Sequence, residues 1–177
     1  RGMIETGFGR AATIKPMSGE ALSVFFRRAV ELEKGVLEML EVRRGIEVQS
    51  AFLAAQRRTA EELTAMEKTV KQMREHLSKP SQYAEYDVTF HLQVAAASQN
   101  KILYFLVESI RNSLKEGNLV GLKHRVSKEE FEHVQETHEH ILEAFKRKNA
   151  SAASKAMAAH FDDAVAAISL RAVAKKV

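Results

Sequence analysis

Asp87 and His91 stand four residues apart, and His138 and His160 follow further along the chain, each inside a stretch whose apolar residues repeat with helical spacing. An aspartate and a histidine at i and i+4 project from the same face of a helix, and imidazole with carboxylate is a ligand set that suits a divalent metal. Asp87, Phe90, His91, Val94 and Ala95 follow the i, i+3, i+4, i+7, i+8 rule, which turns both polar side chains inward. Val134, His138, Ile141, Leu142 and Phe145 form a second such stripe, and Met157, His160, Phe161, Ala164 and Ile168 a third. His140 lies about 200° around the helix from His138, so only one of them can face the core, and His138 has the apolar neighbours. The others, His76, His124, His133 and His140, read as surface residues. Any one inward histidine could be a core imidazole bonded to backbone or a hydroxyl. Three of them beside a carboxylate bury several lone pairs at a cost that a metal would remove together.

Val36, Leu40, Arg43, Glu47 and Ala54 run along one side of an earlier helix and place a guanidinium and a carboxylate on a largely apolar stripe. Arg43 could clamp an organic acid bidentately beside the metal, or it could close an internal ion pair with Glu47. A metal-dependent hydrolase on a helical bundle would need a general base, and no further acidic residue falls clearly on the inward stripes beside the four ligands. A ferritin-like di-iron site would need two Glu-x-x-His helices, and only Glu130-Phe131-Glu132-His133 fits. A metal-free helical dimerisation domain is the third possibility; it predicts that leucine in place of His91 or His160 is tolerated.

The elements that must hold these residues are helical. No glycine occurs between Gly45 and Gly117, and Pro80 is the only proline there. Periodicity and start signals predict helices near 19–31, 35–57, 59–78, 82–97, 100–117, 128–148 and 150–174. Ser18 is expected to cap the first, Pro80-Ser81 to separate the third from the fourth, and Asn100 and Asn149 to cap the fifth and the last. Ser127 with Glu130 is a capping box. Strand-like alternation occurs only weakly, in the first fifteen residues. The expected fold is all-α, an antiparallel bundle of about seven helices behind a short non-helical N-terminal remnant.

The 177 residues suit one domain, and the absence of cysteine excludes disulfides and thiolate zinc ligands while being compatible with a cytoplasmic location. No apolar run reaches the roughly 20 residues of a membrane span. The net charge of +4 is modest for a nucleic-acid binder, with Lys and Arg interspersed with Glu. The first 28 residues are the exception, carrying Arg1, Arg10, Lys15, Arg27 and Arg28 against Glu5 and Glu20.

Glu41-Val42-Arg43-Arg44-Gly45-Ile46-Glu47, followed by Phe52-Leu53-Ala54-Ala55, resembles the opening of the FCD domain, the effector-binding domain of FadR-type regulators in the GntR superfamily. Asp87-Val88-Thr89-Phe90-His91 with Ala97-Ser98-Gln99-Asn100 resembles that family's Asp-x-x-Phe-His and Ser-x-Asn segment. His138-Glu139-His140-Ile141-Leu142-Glu143-Ala144, with Ala153 and Met157-Ala158-Ala159-His160, resembles its closing pair of helices. The resemblance runs over roughly residues 19–170. It implies that Asp87, His91, His138 and His160 are metal ligands, with zinc the first expectation and nickel, manganese or iron the alternatives. The metal would be effector-coordinating or would pin three helices together. The resemblance also implies a small organic acid effector, with Arg43, Glu47 and Asn100 as effector-binding residues, and a homodimer. Arg1-Gly2-Met3-Ile4 is similar to the tip of the winged helix-turn-helix that precedes this domain in the family. Residues 1–17 are therefore expected to be a remnant of wing and linker, residues 18–177 the sensor, and operator DNA to be met through an N-terminal domain outside this sequence.

Overall fold

Helix boundaries follow the capping chemistry. In the computed structural model, which describes residues 4–5, 9, 11–14, 19–32, 35–116 and 127–174, seven helices succeed one another. They are α1 (Glu20–Ala29), α2 (Gly35–Arg57), α3 (Ala60–Glu75), α4 (Pro80–Ala97), α5 (Lys101–Glu116), α6 (Lys128–Lys146) and α7 (Ala150–Ala174). Ahead of them β1 (Ile4–Glu5) and β2 (Thr13–Ile14) form a two-stranded antiparallel ladder, pairing Ile4 with Ile14 and Glu5 with Thr13. The fold is the expected all-α bundle, and the weak alternation of the first fifteen residues marks this ladder.

The Ser127–Glu130 capping box opens α6 as expected, and Thr59 with Glu62 makes a second one at α3. Asn100 Oδ1 accepts from the amides of Ile102 and Leu103, and Asn149 Oδ1 from that of Ala152. Two starts differ from expectation. The residue before α1 is Gly19, whose neighbour Ser18 lies outside the described residues. Pro80 belongs to α4 as its first residue, because a first-turn amide needs no intrahelical partner and the proline ring already has helical φ. Gly19 also permits a close approach, since a Cβ there would collide with Ser109 Oγ and fall 2.9 Å from the Phe105 carbonyl of α5.

Short turns set the antiparallel order. After α6, Lys148 takes a left-handed φ of 49°, its amide reaches the Phe145 carbonyl, and that of Asn149 reaches Ala144. This closes the helix without glycine and returns the chain as α7. Gln99, at φ 53°, serves the same purpose between α4 and α5. α2 runs through the middle, against α7, α4 and α5, while α3 bridges α4 and α6. Met66, Met73, Tyr83, Phe90, Phe145, Met157 and Phe161 fill the space enclosed. α1 lies outside, against α5, over a smaller cluster of Val30, Met39 and Ile110. Among the described residues no helix is long and apolar enough to cross a membrane.

Candidate metal centre

The bundle brings the four predicted ligands together. α4 supplies Asp87 and His91, α6 His138 and α7 His160, all buried, with one potential ligand atom of each lying within 4.8 Å of the others. The imidazole centroids are 5.5 Å apart for His91 and His138, 5.1 Å for His91 and His160, and 4.5 Å for His138 and His160. Phe90 packs edge-on against His138, and Phe161 against His91 and His160. His140 and His133 are exposed, as expected. His76 is only half-buried, its Nδ1 2.7 Å from the Gln72 carbonyl, and His124 lies outside the described residues.

Hydrogen-bond partners fix where the lone pairs point. His138 Nδ1 is 2.8 Å from the Val134 carbonyl, which can only accept, so this nitrogen carries the proton. Thr137 Oγ1 donates to Val134 O and so accepts from His160 Nδ1 at 3.1 Å. His91 Nδ1 lies 2.5 Å from Glu47 Oε2, a close approach off the line of an ideal hydrogen bond. In their neutral forms His138 and His160 therefore leave Nε2 unprotonated, and the Glu47 carboxylate beside His91 Nδ1 favours the same tautomer there. His138 Nε2 then faces Asp87 Oδ1 across 3.0 Å and His91 Nε2 faces the same oxygen across 3.7 Å, neither in a hydrogen bond. Buried lone pairs opposed in this way repel, and an additional proton on one ring would relieve only one of them. A cation shared by all four does so at once, with the Nδ1 contacts as the outer shell that orients each ring. Two atoms each about 2.1 Å from a shared ion in tetrahedral coordination are about 3.4 Å apart, so atoms now within 4.8 Å of one another would close by at most about 1.4 Å. The residues fit a divalent metal.

Two further helices surround this set with charge. Arg111 of α5, 1% exposed, donates from Nη1 to Asp87 Oδ2 at 2.8 Å and from Nη2 to Glu47 Oε2 at 3.2 Å. Arg43 donates from Nε to Glu47 Oε1 at 2.9 Å, and its guanidinium carbon lies 4.9 Å from the centroid of Phe161. Burial alone would raise the Glu47 carboxyl, but Arg111, Arg43 and His91 hold it well below the usual carboxylate range. Asp87 is likewise raised by burial and brought well below its ordinary value, chiefly by Arg111 and then His91. Burial, with His138 and His91 alongside, pushes His160 well below its usual value, so its neutral form prevails. Two guanidinium groups thus balance two carboxylates.

Glu47 corrects the expectation that no further carboxylate would lie beside the ligands: α2 places it against His91. It is nevertheless a poor general base, being engaged by two arginines and held ionised. Arg43 and Glu47 do form the internal ion pair, through Nε only. Asn100 sits at the start of α5 with its oxygen used in capping, and among the described residues no hydrogen bond links it to the cluster. Sequence reasoning missed Arg111 and Thr137. The signal for Arg111 was present, since it follows Val107 by four residues and Ile110 by one on a stripe that is otherwise apolar. An open groove of about 540 Å³ runs between α3 and α6, and along it Arg74 is paired with Glu139 and Lys146 with Glu143. Among the described residues, candidate metal-ligating donors converge at the buried cluster.

The model of the FCD domain family matches residues 38–163, a span containing all four candidate ligands with Arg43, Glu47 and Arg111. The HTH-type transcriptional regulator LutR of Bacillus subtilis is 29% identical over 164 residues, covering 90% of this chain and 74% of that protein. The Uxu operon regulator of Haemophilus influenzae is 28% identical over 131 residues, 73% of this chain and 49% of its own length. This chain thus spans about three quarters of the one relative and about half of the other. The fold is shared with Streptococcus agalactiae GntR, at a TM-score of 0.66 and 24% identity over 91% of this chain and 73% of that one. It is shared also with E. coli McbR/YncC, at 0.69 and 16% over 96% and 78%. The family and the two sequence relatives are transcriptional regulators rather than enzymes. The chain belongs to the FCD domain family, the effector-binding domain of GntR-family transcriptional regulators.

Proposed function

We propose that this domain senses a small organic acid through a divalent metal held by Asp87, His91, His138 and His160, zinc being the first expectation, and that the acid regulates DNA binding by a winged helix-turn-helix of the same regulator. The observation that carries this reading is the convergence of the buried Asp87, His91, His138 and His160, with His138 Nε2 and His91 Nε2 both facing Asp87 Oδ1 outside any hydrogen bond. When bound, the metal supplies Lewis acidity and positions open to an oxygen ligand.

Charge selects what enters. Arg43, Arg111, Glu47 and Asp87 sum to zero, so a divalent ion would leave the buried site at +2, and a carboxylate offsets it. Arg43 spends only Nε on Glu47, leaving its two Nη groups as a planar fork suited to that carboxylate. Glu47 belongs to the outer shell in this reading, steadying His91 and both arginines. Asn100 stays a weaker candidate for the effector, placed by resemblance and not by contacts. Residues 1–17 fit the end of a wing and its linker, residues 18–177 the sensor, and a homodimer would meet two operator half-sites. The acid would act by favouring one placement of the paired DNA-binding domains, since a ligand shifts an equilibrium only through differential affinity.

Elemental analysis of the purified protein beside an Asp87→Ala, His91→Ala double variant tests the metal, and melting both with a panel of organic acids tests the sensing. About one metal per chain, lost in the variant together with any acid-induced rise in Tm, is the expected result. Metal present with no acid response would leave it a structural pin between α4, α6 and α7. Absence of metal from the wild type would sink the reading and return the four residues to core packing.

A further inference from the structure

Asp87 has two carboxylate oxygens in distinct situations. Oδ1 faces the imidazoles, 3.0 Å from His138 Nε2 and 3.7 Å from His91 Nε2. Oδ2 accepts from Arg111 Nη1 at 2.8 Å on the opposite side. Arg111 cannot readily swing away, because its other arm donates to Glu47, itself gripped by Arg43, and the side chain is 1% exposed. The guanidinium fork is planar and rigid, so the two carboxylates it spans are held in a fixed relation. Arg111 reaches in from α5, a helix that contributes none of the four candidate ligands.

We propose that Arg111 is a positioning residue that commits Asp87 to bind the metal through Oδ1 alone, and so keeps open the coordination position an effector carboxylate uses. The inference rests on the metal reading above. A carboxylate whose second oxygen is free can chelate a cation bidentately. If Oδ2 were released, Asp87 would occupy a position otherwise left for the incoming anion. Protein ligands and metal would still assemble, but the site would respond poorly to acids.

Cobalt(II) reports this directly, because its visible absorption depends on coordination number and on which ligands are bound. The wild type and Arg111→Gln are each loaded with Co²⁺, stoichiometry is measured, and acetate is titrated as a simple carboxylate probe. The wild-type spectrum is expected to change on adding acetate. Arg111→Gln should take up Co²⁺ in the same ratio, show a different starting spectrum, and need about tenfold or more acetate for the same change. Arg111→Lys, which keeps the charge but lacks the fork, should fall between them. A folded Arg111→Gln or Arg111→Lys with the wild-type spectrum and acetate response overturns the inference while leaving the metal reading intact. Wild type that binds no Co²⁺ overturns both. Should Arg111→Gln fail to fold, a structure of the Co²⁺-loaded wild type decides alone: one Asp87 oxygen at bonding distance supports the inference, and two overturn it.

Discussion

α5 separates two packed regions made of different materials. On one side Arg111 enters a core in which Phe90 and Phe161 pack against a cluster of two arginines, two carboxylates and three imidazoles. On the other, Ile110 meets only Val30 and Met39, with Phe26, Ala29 and Ile46 at the margin, and α1 leaves Phe25 67% and Val24 57% exposed. The first region holds charge in the dark because α2, α4, α5, α6 and α7 each supply a partner, so every buried ion faces an opposite one. The second lacks such convergence and buries no charge among its clustered residues. It is held instead by a few apolar side chains and by the close approach of Gly19 to Ser109, with Ser23 Oγ 3.2 Å from the Ser109 carbonyl. What differs between them is the number of helices that meet, which decides whether a polar group can be satisfied away from water.

Removing one member of the ionic cluster should break the comparison most sharply. Glu47→Ala leaves Arg43 without its ion-pair partner and Arg111 with Asp87 alone, two buried guanidinium groups against one carboxylate, and is expected to cost about 3–5 kcal/mol, read by urea denaturation. A loss under about 1 kcal/mol would mean that water reaches the arginines and that the two regions are alike. Next comes the metal: Zn²⁺ at about 100 times its dissociation constant should stabilise the wild type by about 2.7 kcal/mol and leave Asp87→Ala, His91→Ala unchanged. Equal gains in both would place the zinc elsewhere. In the smaller region, Ile110→Ala should cost roughly 2 kcal/mol, at the low end for a buried isoleucine, because α1 can settle onto the space. Amide exchange should be fastest along α1 among the helices, and a protected α1 would contradict the distinction.

The smallest effect concerns the same chemistry at the surface. Arg74 grips Glu139 through two hydrogen bonds of 2.6 and 2.8 Å, and this holds the Glu139 carboxyl below its ordinary value. Both side chains are more than a third exposed, so screening limits the pair to about 0.2–1 kcal/mol. A depressed carboxyl stabilises the fold above the unfolded value, near pH 4.3, and loses that contribution as pH falls through the folded value. Glu139→Gln should therefore be slightly less stable than wild type at pH 7, with the gap closing as the pH drops below about 4. A gap that persists in acid would point to packing rather than charge.

Much of this was legible from single helices. The bounds of α2 and α7 match the spacing exactly as read, and the asparagine and capping-box signals at Asn100, Ser127 and Asn149 appear where the residues predicted them. The inward faces of Asp87, His91, His138 and His160 were legible too, because a 3.6-residue period fixes which side of a helix each residue occupies. Pro80 was misassigned to a connection because proline reads as a breaker unless it is the first residue of the helix.

Periodicity determines faces; it does not determine which faces meet. Glu47 and Arg111 are 64 residues apart, and Arg111 and Asp87 24, so their contacts depend on how α2, α4 and α5 cross. Only the assembled bundle put a carboxylate against His91, aimed the Nε2 atoms of His91 and His138 at one oxygen, and gave Asp87 two unequal oxygens. The sequence by itself determined an all-α chain with four buried polar residues suited to a cation. The tertiary structure decided their outer shell, because hydrogen-bond direction is a property of pairs of atoms brought together across helices rather than of any one helix.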